Sequence, residues 1–366
     1  MRTLRDFGFG KTRMEDLVGE EVEETCRRFE MANGEFIRMD RKFNIPAVNA
    51  LYKVLSHERL SHDDPRPVEY HKKSEEIFRI ANKPWVSFIG LVPYGYVITR
   101  MLGYPTLEDF FKGQLSVIDD FISKHESTYQ EDNLRDFTDA YLQKSYAAAS
   151  DPTSSFHGKE GKVNLRSTLA DILQAGTDTT SITMSWAMVY LTNYPHIQKK
   201  LQEELDCVIG RGRVPTWNDK QNLPYTEACL HELQRRANII PNGVARKTRK
   251  DCYLRGHFIP ADTNVFPMLG AVLHNPKIFP SPKEFKPERF LVDGKFEASP
   301  YVIPFGSGKR RCLGETLARI ELFRFFTGIF HRFNVEKRPG DINSDDPSNG
   351  SFAMPDSFEV RFIPRD

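Results

Sequence analysis

A chain of 366 residues is long enough for one large core or two smaller ones. Apolar residues make up 39% and charged residues 28%, a globular balance that excludes a disordered or fibrous chain. With 51 basic and 50 acidic side chains the net charge is +1, which gives no electrostatic case for a nucleic-acid partner.

The first residues, Met1-Arg2-Thr3-Leu4-Arg5, hold no apolar run, so no signal peptide is expected. Helical periodicity is predicted over 14–31, with Leu17, Val22 and Cys26 near one face, and then over 47–60, 68–81, 107–125 and 134–146. Residues 85–98, from Trp85 to Ile98, are the most apolar stretch but fall short of the roughly 18 residues of a membrane span. Gly90, Pro93 and Gly95 mark them as a loop that packs on its own protein or touches a membrane surface peripherally. Residues 147–162 are small and polar and read as a surface loop. A long helix is predicted over 165–193, apolar on more than one face and therefore buried. Pro195 then opens a helix to Ile209, and another spans 225–237. From Val244 to Phe266 short alternating stretches predict small strands. Irregular, proline-rich chain follows, then a helix over 313–332 and a short strand pair in the tail. The pattern predicts a mainly α fold with a small β region and no βαβ alternation. One domain over 1–366 is expected, with a helical region over 1–162 and a core over 163–366.

Three constellations carry possible chemistry. The five cysteines (Cys26, Cys207, Cys229, Cys252, Cys312) are odd in number and widely spaced. No disulfide framework or structural zinc site is expected, and a reducing compartment fits. Cys312 stands apart, in the run FGSGKRRCLG from Phe305 to Gly314. Gly306, Gly308 and Gly314 let the backbone fold tightly and approach a flat ligand. Helix N-terminal N–H groups favour an anionic sulfur, and Lys309, Arg310 and Arg311 add positive charge. A thiolate is one of few protein ligands that hold haem iron; a structural cysteine beside a glycine-rich turn would show the same spacing. In the long helix, Gly176 and Thr179 share a face beside Asp178. A threonine hydroxyl bonded to the carbonyl four residues back loosens a helix locally and leaves room for a small molecule, although a purely structural kink fits as well. Glu232 and Arg235 lie three apart, as many solvated helix pairs do.

The cysteine run resembles the signature of the cytochrome P-450 family, Phe-x-x-Gly-x-Arg-x-Cys-x-Gly, at Phe305, Gly308, Arg310, Cys312 and Gly314. Ala175-Gly176-Thr177-Asp178-Thr179-Thr180 resembles the family's oxygen-activation motif. Glu232-Leu233-Gln234-Arg235 and Pro287-Glu288-Arg289-Phe290 resemble its Glu-x-x-Arg and Pro-Glu-Arg-Phe. The resemblance implies the P-450 fold and a haem b (iron protoporphyrin IX) ligated by Cys312, with Arg310 and Arg246 on the propionates and Phe305 near the sulfur. It implies that Asp178 and Thr179 serve dioxygen and protons, and that Glu232, Arg235 and Arg289 form a buried structural triad. Residues 238–244 and 352–354 match pocket-lining segments of relatives, or are plain core.

The resemblance is to the microsomal animal branch. It implies a monooxygenase that inserts one oxygen atom of O₂ into a small hydrophobic substrate (xenobiotic, fatty acid or steroid-like). Electrons would come from an NADPH-dependent flavin reductase, with Lys309 and Arg311 on the docking side, at the cytoplasmic face of the endoplasmic reticulum. Residues 1–8 resemble the stretch just after the helix that carries Trp-x-x-x-Arg, so an N-terminally truncated P-450 chain is expected. A catalytically inactive shortened isoform or fragment is the alternative. A fold relative that isomerises peroxides fits less well, because such proteins often lose the acid–threonine pair.

Overall fold

The computed structural model describes residues 12–63, 97–98, 101, 107–341, 343–346 and 352–366. The helix expected at 68–81 lies outside these, as does the apolar stretch at 85–98 apart from Val97 and Ile98, both exposed.

The long central helix sets the layout. Between Thr180 and Thr192 nearly every side chain is buried, so this segment has no solvent face and other elements must surround it. Against it stand α2 (Asn44–Ser56), α3 (Leu107–Thr128) and α4 (Phe137–Ala147), while α1 (Thr12–Met31) packs on α2. The helix itself is α5 (Gly158–Asn193). It starts earlier than the sequence indicated, because Gly158 (φ 49°) turns the chain within the stretch read as loop. Its end is as expected: Pro195 is the first residue of α6 (Pro195–Ile209). Pro224 likewise opens α7 (Pro224–Ala237), which Asn238 closes in a left-handed conformation. Asp136 caps α4 by accepting the backbone N–H groups of Thr138 and Asp139.

The small strands expected after Val244 are present. β2 (Arg246–Lys247) pairs with β5 (Asn264–Val265), and β3 (Cys252–Leu254) with β4 (His257–Ile259). A short α8 (Leu269–Leu273) and the hairpin of β6 (Leu291–Val292) and β7 (Lys295–Phe296) lead to α9 (Glu315–Arg332). The strand pair expected in the tail is present as β8 (Phe333–Lys337) and β9 (Glu359–Pro364), and a third strand from near the start of the described chain, β1 (Ile37–Arg38), joins it. β9 lies between the other two, in the order β1-β9-β8. Behind this sheet Phe29 of α1 stacks on Phe362 of β9, with ring centroids 3.9 Å apart and planes within 8°. α1 runs along α9 so closely that a Cβ on Gly328 would stand 2.5 Å from Val22 Cγ1. Among the described residues no helix is long and apolar enough to cross a membrane.

Candidate functional site

The cysteine loop is built by two glycines and closed by one hydrogen bond. Gly306 and Gly308 both take φ 71°, a conformation that L side chains rarely adopt. No atom lies within 4 Å of the Cβ that either lacks, so backbone conformation and not space demands glycine there. The Cys312 N–H donates to the Phe305 carbonyl at 2.8 Å, which folds the loop back on itself. The Phe305 ring stacks beneath Arg319 of α9, 5.0 Å from its guanidinium carbon. Gly314 is the residue before α9, and a Cβ there would lie at an ordinary 4.0 Å from Cys312 Sγ.

Cys312 as a residue is exposed, but protein atoms crowd its sulfur, and this burial raises the thiol's pKa. The backbone N–H groups of Gly314 and Glu315, at the start of α9, oppose the rise, as helix N-terminal dipoles do. The expected help from Arg311 is weak, because that guanidinium pairs with Glu315, whose own charge opposes a thiolate. The chain alone therefore does not make Cys312 acidic, a correction to the reading of the basic run. A coordinated metal removes a thiol proton outright.

Two cations complete this side. Arg310 makes no ion pair or side-chain hydrogen bond among the described residues. Arg246, brought over by β2, donates to its neighbours' carbonyls and to the Arg310 carbonyl at 3.3 Å. Two guanidiniums with no carboxylate partner among the described residues thus stand beside the cysteine at the start of α9. That donor set fits haem: a thiolate for the iron and two arginines for the propionates.

The second constellation lies on α5. Thr179 is half-buried, and its hydroxyl donates to the Ala175 carbonyl at 2.8 Å, the back-bond expected from the sequence. Thr177, Thr183 and Ser185 do the same with Leu173, Thr179 and Ser181. Asp178 is buried on the same turn. A Cβ on Gly176 would meet Leu51 Cδ2 of α2 at 2.7 Å, so the bare face of this glycine receives a neighbouring helix.

The charged triad comes together as expected. Arg235 holds Glu232 with two hydrogen bonds, and Arg289 Nε donates to Glu232 Oε1 at 3.0 Å. Of the segments left open between pocket and core, Ala353 is core: its N–H donates to the Ile239 carbonyl and its carbonyl accepts from Trp186.

The sequence reading missed Glu321 of α9, a fully buried acid that accepts the Thr180 hydroxyl at 2.9 Å. The signal was present, because a lone acid within LARIELFRFF is out of place on a buried helix face.

The model of the family described as Cytochrome P450 matches residues 1–362. The chain is 35% identical to rabbit (Oryctolagus cuniculus) cytochrome P450 2A11 over 370 residues, covering 99% of this chain and 73% of that protein. It is 34% identical to human (Homo sapiens) cytochrome P450 2C8 over 380 residues, covering 100% of this chain and 74% of that protein. Mouse (Mus musculus) cytochrome P450 2C55 is 35% identical over 367 residues, with 99% and 74% covered. Such similarity along nearly the whole chain makes it a member of the cytochrome P450 family of haem monooxygenases.

Proposed function

We propose that the chain binds haem b through Cys312 and hydroxylates a small apolar molecule of the xenobiotic, fatty-acid or steroid-like class. The overall reaction is R–H + O₂ + 2e⁻ + 2H⁺ → R–OH + H₂O. Electrons come from an NADPH-dependent flavin reductase that docks on the Lys309 and Arg311 side, at the cytoplasmic face of the endoplasmic reticulum.

Bound haem supplies dioxygen activation, with the thiolate donating electron density that favours O–O cleavage. The remaining work falls to the chain. The N–H groups of Gly314 and Glu315 favour negative charge on the Cys312 sulfur. Arg246 and Arg310 hold the propionate edge, and the glycine turn at Gly306 and Gly308 keeps the loop thin. On α5, the Thr179 hydroxyl keeps its proton on the Ala175 carbonyl; turning away frees that proton for donation, and Asp178 on the same turn resupplies it. Glu232, Arg235 and Arg289 have a structural task, fixing α7 to the segment before the cysteine loop.

The observation that carries this reading is the Cys312 loop, folded back by the bond from the Cys312 N–H to the Phe305 carbonyl, at the start of α9 and beside two guanidiniums that have no carboxylate partner among the described residues. The test is the absorption spectrum of the purified chain, reduced and exposed to carbon monoxide, beside Cys312→Ala. A strongly red-shifted Soret band that is lost in the variant is expected. No band, or one indifferent to the substitution, would leave a chain that keeps the motifs without the activity.

A further inference from the structure

Between Thr177 and Ser185 the hydroxyls of α5 fall into two groups. Thr177, Thr179, Thr183 and Ser185 bond carbonyls of their own helix. Thr180 and Ser181 reach out of it instead: Thr180 to Glu321 Oε2 of α9 at 2.9 Å, and Ser181 to Asn44 Oδ1 of α2 at 2.5 Å. These two crosslinks immediately follow Asp178 and Thr179, and they fasten that turn on two sides. The α9 link has a particular origin. Glu321 is six residues past Glu315, about 9 Å along the helix axis at 1.5 Å per residue, and α9 begins just after Cys312. One side-chain hydrogen bond therefore ties the helix that leaves the thiol to the turn that carries the acid–threonine pair.

Glu321 is an unusual residue for that place. It is 1% exposed, its Oε1 is buried with no hydrogen-bond partner, and among the described residues no cation bonds it. An ionised carboxylate so enclosed is far costlier than the neutral acid. Burial accordingly drives its pKa well above the usual carboxylate range, opposed only by the Thr180 hydroxyl. A leucine or methionine would fill the same volume without an unsatisfied oxygen, so packing alone does not call for an acid.

We propose that Glu321 is a positioning residue for the monooxygenase reaction: as an uncharged acid it fixes, through Thr180, the setting of the Asp178–Thr179 turn relative to the helix that follows Cys312. This rests on the roles assigned to Asp178 and Thr179 above. The bond constrains how far Thr179 can turn from the Ala175 carbonyl, and hence how often its proton is delivered at the right moment. Loss of the bond should let reducing equivalents escape as hydrogen peroxide while leaving the thiol loop intact.

The test compares the full wild-type chain with Glu321→Gln, Glu321→Leu and Thr180→Val. The first readout is the infrared spectrum at neutral pH. A C=O band of a protonated carboxylic acid should be present in the wild type, absent in both Glu321 variants and shifted in Thr180→Val. The second is the share of NADPH electrons released as hydrogen peroxide, with lauric acid as the probe. Glu321→Gln should stay near wild type, whereas Glu321→Leu and Thr180→Val should release several-fold more, all with the red-shifted carbon monoxide band in place. If Glu321→Leu does not fold, the near-isosteric Thr180→Val carries the comparison. A wild-type spectrum without the protonated-acid band, or unchanged peroxide release in Thr180→Val, would overturn the proposal. Absence of the carbon monoxide band in the wild type would instead sink the functional reading, and the infrared band would still decide on Glu321.

Discussion

Arg235 grips Glu232 with two hydrogen bonds, Nε to Oε2 at 2.6 Å and Nη2 to Oε1 at 2.9 Å, and neither side chain is exposed to solvent. Glu232 Oε1 also accepts from Arg289 and from the Lys286 N–H, while Arg235 donates further to the carbonyls of Leu273, Pro282 and Glu284. Every member of the network is bonded several times, so its value shows when one partner is removed. Glu232→Ala would leave two guanidiniums facing each other with no acid between them. It is expected to cost about 3–5 kcal/mol, the range for breaking a buried pair, measured by chemical denaturation. A cost under about 1 kcal/mol, the worth of an ordinary hydrogen bond, would show that the network is not what holds this region.

The two arginines beside the cysteine loop should act on cofactor retention. Arg310→Leu and Arg246→Leu each remove one charged hydrogen-bond donor, worth about 1.5–3 kcal/mol when made to a charged group. Each is therefore expected to speed haem loss to an apo-globin acceptor by about tenfold or more. The position of the carbon monoxide band should not change, because neither side chain bonds the sulfur. Equal retention in Arg310→Leu and wild type would remove Arg310 from the propionate site.

His231 gives the fold a pH dependence with a definite sign. It is buried on α7 between the rings of Phe290 and Phe296, and its Nε2 accepts the Ser299 N–H at 3.2 Å. Burial, with a smaller push from the Arg319 charge, lowers its pKa from 6.5 to about 4. The unfolded chain therefore binds a proton that the folded chain refuses between those values, and stability falls as pH drops from about 6.5 toward 4. The loss should be on the order of 3 kcal/mol at 1.36 kcal/mol per pKa unit. In denaturant titrations at stepped pH, His231→Gln should flatten this window; an unchanged slope would assign the loss to other groups.

Gly328 marks the tightest approach of α1 to α9. Gly328→Ala would place its methyl 2.5 Å from Val22 Cγ1, and Val22 is β-branched and cannot swing clear. A destabilisation of about 1–3 kcal/mol is expected, as for other overpacked cores. Val22→Ala in the same chain should recover part of it, and a double-mutant cycle with no coupling would refute the contact.

How much of this was legible from residues alone depended on how local each cause was. Pro195 announces a helix start because proline's fixed φ suits a first turn, and α6 begins at that residue. The start of α5 was missed because Gly158-Lys159-Glu160-Gly161 has poor helix propensity, and only the packed remainder of α5 holds it helical. β1 was missed because its two residues, Ile37 and Arg38, are too few to show an alternating pattern. The cysteine loop and the Glu232 triad were readable through motif resemblance, since each is a fixed pattern of residues. Glu321 has no such pattern: its meaning comes from Thr180, 141 positions earlier, and that neighbour exists only in the folded chain.

The three-stranded sheet has a kinetic side as well. Its central strand joins Ile37 to Val360 and Val335 to Phe362, so residues near both extremes of the described chain share one ladder. During synthesis at about 5–20 residues per second, α1 and β1 must wait tens of seconds for their partner strand to leave the ribosome. Until then Phe29 has no Phe362 to cover it, and its apolar face is open to chaperones or to misassociation. The long loop closure that ends this wait is a slow, late event. Shortening the chain by only its last few residues should therefore cripple folding yield far more than the lost contact area suggests.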